Sequence, residues 1–147
     1  VTQIERAIRF ATWKHAGQVD KVGKPYILHP LRVMARVYPA GEAAMCAAVL
    51  HDVVEDCGVT RAQLEARFSE EVVEAVMLLS RPAAGTPDRP THADYVRAIA
   101  QSGSWIAVCV KRADLEDNLM RTHELPPEQR GISKRYHQGM RILDGRE

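Results

Sequence analysis

The stretch "EAAMCAAVLHDVVEDCG", residues 42–58, sets the tightest limit on what this chain can become. After Glu42 come eight positions with no charged side chain, so a helix there is apolar on nearly every side and must be central, with neighbours packed around it. Four ionisable groups follow at once: His51, Asp52, Glu55 and Asp56. Read as one helix over residues 42–55, the spacing sets His51 beside Glu55 and Asp52 beside Asp56. Burying several carboxylates without partners is costly, so this helix end must meet a cation, a set of basic side chains or a water-filled cleft. A divalent metal is the most economical answer. One helix cannot enclose an ion, so further ligands must come from elsewhere in the chain. Imidazole with carboxylate suits first-row divalent ions, and no thiolate set for structural zinc is present.

The rest of the chain reads as helices. Ile4, Ala7, Ile8 and Ala11 recur at helical spacing and predict a first helix ending near Gly17. "GQVDKVGKPY" is a loop, extended until His29, and Pro30 suits the first turn of a second helix, "PLRVMARVY". Thr60 and Ser69 are N-caps for "RAQLEARF" and "EEVVEAVMLL". "RPAAGTPDRP", with three prolines and a glycine, separates these from a helix over residues 93–100. In "WIAVCVKRADLEDNLM" Ile106, Val108 and Val110 alternate as in a strand, but the stretch runs on without a turn signal and is read as helix. A last helix spans residues 127–143, with Ile132, Tyr136, Met140 and Leu143 along one face. The fold class is all-α, a single domain of about seven to eight helices.

Composition narrows the functional classes. With 46% hydrophobic and 27% charged residues among 147, the chain reads as an ordinary soluble domain, without a run of the ~20 apolar residues that a membrane span needs. Three cysteines at unrelated spacings give no disulfide framework and fit a reducing, cytoplasmic setting. The first residues lack the apolar core of an export signal. A net charge of +1 argues against a general nucleic-acid binder. Residues 1–40 nevertheless carry seven basic side chains against two acidic ones, enough to host a small polyanion, although solvated helix faces explain them as well. Nothing in the pattern sets the oligomeric state, and a homo-oligomer stays open.

His29 stands at a helix entrance, and Asp114 and Asn118 lie one turn apart after an apolar segment. "HAGQ…GKPYILHPLRV", "AAVLHDVVEDCGVT" and "VKRADLEDNLMRT", in this order and at these separations, resemble the HD-domain hydrolases of the RelA/SpoT type, particularly the small alarmone hydrolases. The resemblance covers roughly residues 4–143. It implies an HD-type helical bundle in which His29, His51, Asp52 and Asp114 hold one Mn²⁺. It further implies that Glu55 and Asp56 orient and deprotonate the attacking water, that Asn118 lies by the substrate and that Lys21 faces its phosphates. The implied reaction is removal of the 3′-pyrophosphate from (p)ppGpp, a small-molecule nucleotide. Two alternatives remain: another nucleotide, such as a nicotinamide dinucleotide phosphate, or a nucleotide-binding module without turnover. The full set of ligands and both carboxylates speak against the last. One departure stands out: the family's basic pair before "PYI.HP" reads Asp20-Lys21 here, losing the arginine that packs on the base, which implies loose base selection.

Lys24 and Tyr136 are further candidates for substrate contact, one through phosphate and the other along a nucleotide pocket. Lys14, His15 and Arg32 are weaker phosphate candidates of the same kind. Tyr95 fits a core position. Glu116 and Asp117 read as solvated, and Cys57 shows no activating base in the sequence.

Overall fold

The computed structural model describes residues 1–147 and contains α-helices, short 3₁₀ turns and one isolated β-bridge, between Val19 and Pro25. The apolar segment forms α3 (Glu42–Leu50), with Ala44 and all of Cys46 to Leu50 fully buried. Around it pack α1 (Gln3–Lys14), α2 (Leu28–Arg36), α6 (Glu70–Leu78) and α8 (Trp105–Met120). Alanine at three of the buried α3 positions lets these neighbours come close, so their valines and leucines complete one continuous core around it. A second layer is built where α7 (His92–Gln101) and α9 (Ser133–Leu143) pack on each other and on α8. No helix is long and apolar enough to cross a membrane.

Local chemistry explains the boundaries. Thr2 and Thr60 start α1 and α5 (Arg61–Glu65) with capping boxes, each hydroxyl accepting an N–H three residues on. The Ser104 hydroxyl caps α8 in the same sense, and its buried residues Ile106, Val110, Ala113 and Asp114 follow helical rather than strand spacing. Ser69 precedes α6 in extended geometry but makes no side-chain cap.

Three expectations are corrected. The helix expected over residues 42–55 breaks at His51–Asp52, and α4 (Val53–Cys57) is a separate helix. The His51 ring takes the part of a cap: its Nδ1–H donates to the Ala48 carbonyl at 2.6 Å, satisfying a group that a continuing helix would have bonded. Gly58, at φ +67°, then closes α4 in the left-handed region. Second, α2 begins at Leu28, so His29 lies inside its first turn; Pro30 is tolerated because the first N–H groups of a helix have no partner to lose. Third, the terminal segment divides into a 3₁₀ turn, Pro127–Ile132, and α9.

The α7–α8–α9 layer is tight at Gly139, where an added Cβ would stand 3.0 Å from Leu115 Cδ1 and 3.3 Å from His92 Cε1. Leu115 is fully buried, so its methyl groups can give way only by displacing packed neighbours. Gly139→Ala should therefore destabilise the protein by a net ~1–2 kcal/mol, overpacking outweighing the gain of up to ~1 kcal/mol in helix propensity. A melting temperature lowered by roughly 2–6 °C is the expected reading, and an unchanged or raised value would contradict the close packing.

Candidate active site

Three elements converge where α3 ends. From α2, the first turn presents His29; from the α3–α4 break come His51 and Asp52; from the middle of α8 comes Asp114. His29 Nε2 lies 2.8 Å from Asp114 Oδ1, and His51 Nε2 lies 3.0 Å from Asp52 Oδ2 and 3.5 Å from Asp114 Oδ1. Donor atoms of His29, His51 and Asp114 all fall within 4.8 Å of one another, close enough for one divalent ion to bridge. Asp52 adjoins this triad through its contact with His51, and the Tyr26 hydroxyl donates to its Oδ2 at 2.5 Å.

The donor set fits a metal on two independent observations. His51 Nε2 is buried, faces both carboxylates and makes a hydrogen bond to neither, so it is a ligand atom without a partner. His29 is held from behind: its Nδ1 lies 2.7 Å from Asp117 Oδ2, which turns Nε2 toward the centre, as carboxylates do for metal-binding histidines. Asp117 is thus no solvated residue. It is 1% exposed and also accepts from Arg32 Nε at 2.9 Å.

Electrostatics tie the cluster together. Burial opposes ionisation of Asp114, but Lys111 at 2.8 Å, with His29 and His51, holds its carboxyl well below the usual range. Burial likewise works against the charged forms of His29 and His51, and the surrounding aspartates more than reverse it, raising both pKa values. Asn118 donates to Asp114 Oδ1 at 3.2 Å.

Glu55 and Asp56 flank this centre on α4 and contact none of the four residues by hydrogen bond. Glu55 accepts from the Arg81 backbone N–H at 2.9 Å and from the Arg89 guanidinium at 3.0 Å. Asp56 accepts from Gln18 Nε2 at 3.3 Å. The Gln18 carbonyl in turn lies 2.8 Å from Nδ1 of the buried His15, which therefore braces the loop rather than meeting a ligand. His15 Nδ1 also stands 3.4 Å from Cys57 Sγ, but its N–H is committed to Gln18, so it is no base for the thiol; burial, then Asp56 and Asp52, push that thiol up to about 11 and keep it protonated.

A cleft of about 350 Å³ opens over His29, Asp52 and Asp114. Lys21, Asn118 and Tyr136 line it as the sequence suggests. Lys24 does not; its ammonium pairs with Glu124 at 3.3 Å. Arg32 is spent on Asp117, and Tyr95 is core, its hydroxyl donating to the Leu79 carbonyl. The lining also holds basic side chains that the sequence reading did not single out: Arg81 and Arg135, together with His92 and with Lys111, which pairs with Asp114. Arg81 Nε and His92 Nδ1 are buried without a hydrogen-bond partner. Asp20, which stands where the family's arginine would be, lines the cleft with its charge paired. It accepts from the Val22 and Lys24 N–H groups at 3.0 and 2.9 Å and from the Arg121 guanidinium at 2.7 Å, which brings an arginine from α8's end to the cleft rim.

Two predictions follow from this geometry. Asp117→Asn should weaken binding of a divalent ion by ~10–100-fold, because His29 loses its brace; calorimetric titration with Mn²⁺ reads it, and unchanged affinity would place His29 outside the metal site. The second concerns His92, which burial and then Lys111, Arg135 and Arg81 push down to about 4. In the unfolded chain an imidazole titrates near ~6.5, so below that pH unfolding takes up a proton and stability falls with acidification until pH ~4. His92→Gln lacks this loss. Its stability relative to wild type, measured by urea unfolding, should rise steadily over that window, and a flat difference would show that the imidazole is not held neutral.

Comparison with known proteins gives consistent results. The family model described as HD domain matches residues 7–135. A probable guanosine-3′,5′-bis(diphosphate) 3′-pyrophosphohydrolase of Synechocystis sp. is 37% identical over 136 residues, covering 88% of this chain and 18% of the relative. A guanosine-3′,5′-bis(diphosphate) 3′-pyrophosphohydrolase of Spiroplasma citri is 30% identical over 139 residues, covering 90% and 19%. A probable GTP pyrophosphokinase of Mycobacterium leprae is 33% identical over 138 residues, covering 90% and 17%. The chain thus spans less than a fifth of the length of these relatives. A solved structure described as "A metazoan ortholog of SpoT hydrolyzes ppGpp and plays a role in starvation responses" superposes with a TM-score of 0.84 at 23% identity, over 100% of this chain and 88% of that one, and so shares its fold. With the family model matched across most of its length, the chain belongs to the HD domain family.

Proposed function

We propose that residues 1–147 act as one metal-dependent phosphohydrolase domain that removes the 3′-pyrophosphate from (p)ppGpp, in the cytoplasm and with Mn²⁺ as its ion. The observation that carries this reading is that one cleft brings together two kinds of group: the imidazole and carboxylate donors of His29, Asp52 and Asp114, and the basic side chains of Lys21, Arg81 and Arg135. A ligand spanning both must be a polyanion that also meets a metal, which describes a nucleotide carrying several phosphates. The relatives named as (p)ppGpp 3′-pyrophosphohydrolases support the choice of nucleotide.

A divalent ion held by His29, His51, Asp52 and Asp114 supplies Lewis-acid activation of phosphate and water. The chain's own residues do the rest. Arg81, Arg135 and Lys21 bind the phosphates and offset the charge that builds on them during transfer. Tyr136 and Asn118 border the nucleoside. Glu55, fixed by Arg81 and Arg89, and Asp56, fixed by Gln18, orient the attacking water and take its proton. The bond between the 3′ oxygen and its phosphorus breaks, pyrophosphate departs with the water oxygen, and the 3′ oxygen is protonated.

The test is release of phosphate and pyrophosphate over a nucleotide panel with added Mn²⁺; pyrophosphate from ppGpp is the expected product, and turnover of other nucleotides alone would redirect the assignment. Glu55→Gln and Asp56→Asn should each keep metal affinity while lowering kcat by ~10²–10⁴-fold. Undiminished kcat in either variant would remove that carboxylate from the reaction.

A further inference from the structure

The basic excess of the first forty residues finds no use in the catalytic cleft, to which it contributes Lys21 alone. Part of it instead lines a second cavity, about 360 Å³, bounded by Arg6, Arg9, Phe10, Trp13 and Arg67, which shares no residue with the cleft. We propose that this groove between α1 and the chain just after α5 is a binding site for a nucleoside di- or triphosphate, with the base stacked on Trp13 and the phosphates on the three arginines.

The charge pattern is the first support. Eight of the fifteen arginines form ion pairs, and of the seven that do not, three meet in this groove and two more line the catalytic cleft. The guanidinium groups of Arg6 and Arg67 hydrogen-bond only to the Val1 and Gln63 carbonyls, at 3.1 and 3.3 Å, and that of Arg9 makes no hydrogen bond. Nothing acidic on α1 is free to quench Arg6 and Arg9: Glu5, the one carboxylate in that helix, is engaged with Thr2 in the capping box. The neighbouring Arg61, by contrast, is paired with both Glu65 and Glu74. Unpaired guanidinium groups held together in this way repel one another, and a phosphate relieves that repulsion while accepting their forked N–H donors.

The second support is the aromatic platform. Trp13 is 62% exposed, while Phe10, at 5%, forms the floor beneath it, packed edge-on against Trp13 and Phe68 at centroid distances of 6.0 and 5.7 Å. An indole left in water beside three cations loses apolar burial that a stacked base restores. Cations already seek these rings: Lys14 Nζ lies 3.9 Å from the Trp13 centroid, and the Arg67 guanidinium lies 5.1 Å from that of Phe10. The groove is short, bounded by five side chains of which three are guanidinium groups and two aromatic, and this composition suits a compact anion with one aromatic face.

Fluorescence tests the proposal directly, because Trp13 and Trp105 are the only tryptophans. In a Trp105→Phe background, ATP or GDP should quench Trp13 saturably with chelator present, where the metal centre takes no part. Arg9→Gln and Arg67→Gln, both at exposed positions, should each weaken that affinity about tenfold, with thermal unfolding unchanged. Inorganic triphosphate should compete without quenching. The proposal is overturned by the absence of saturable quenching, by affinity that ignores both arginine variants, by quenching from triphosphate alone, or by a glutamate-rich peptide that binds more tightly than the nucleotides.

Discussion

The structure is organised around one buried carboxylate. Asp114 receives Lys111 from one turn before it and Asn118 from one turn after it, and it faces His29 of α2 and His51 at the end of α3. A carboxylate this deep costs several kcal/mol to desolvate, and removing one partner of a buried pair costs about 3–5 kcal/mol. Helices α2, α3 and α8 must therefore cross where their polar groups can reach it, and the small residues of α3 make that crossing possible. The architecture and the site obey the same requirement.

The carboxylates of α4 tie together segments that line the cleft. Glu55 is fixed by the backbone of Arg81, whose side chain lines it, while Asp56 is fixed by Gln18 of the loop that also carries Lys21. Both carboxylates are thus held in a fixed orientation by groups outside α4. Across the same lining, Arg81 Nε and His92 Nδ1 are desolvated yet unspent.

Much of this was legible in the sequence, and the exceptions have physical reasons. Periodicity and caps located the helices, because those signals act within one or two turns. The break at His51 was hidden because it depends on a ring turning back to the Ala48 carbonyl, a choice of rotamer that periodicity does not encode. Asp117 was misread although the clue was present: Asp114 and Asp117, three apart, share a helix face, as do Lys111 and Asp114. Arg81, His92 and Arg135 carry no such clue, since they meet only through tertiary packing of segments far apart in the chain. Asp20 is the sharpest case. Its partner, Arg121, lies 101 positions away, so the sequence displayed a bare charge where the fold holds a neutral pair.

The pairing of His29 with Asp114 closes a loop of 85 residues. Closing so long a loop is entropically unfavourable until the intervening helices have packed, so the centre belongs to the late, non-local part of folding. No local fragment can preform it. Affinity for an ion at this point consequently reports on the whole core: any change that loosens α8 from α3 dilutes the donors before it melts a helix, and loss of metal becomes the earliest sign of distant damage.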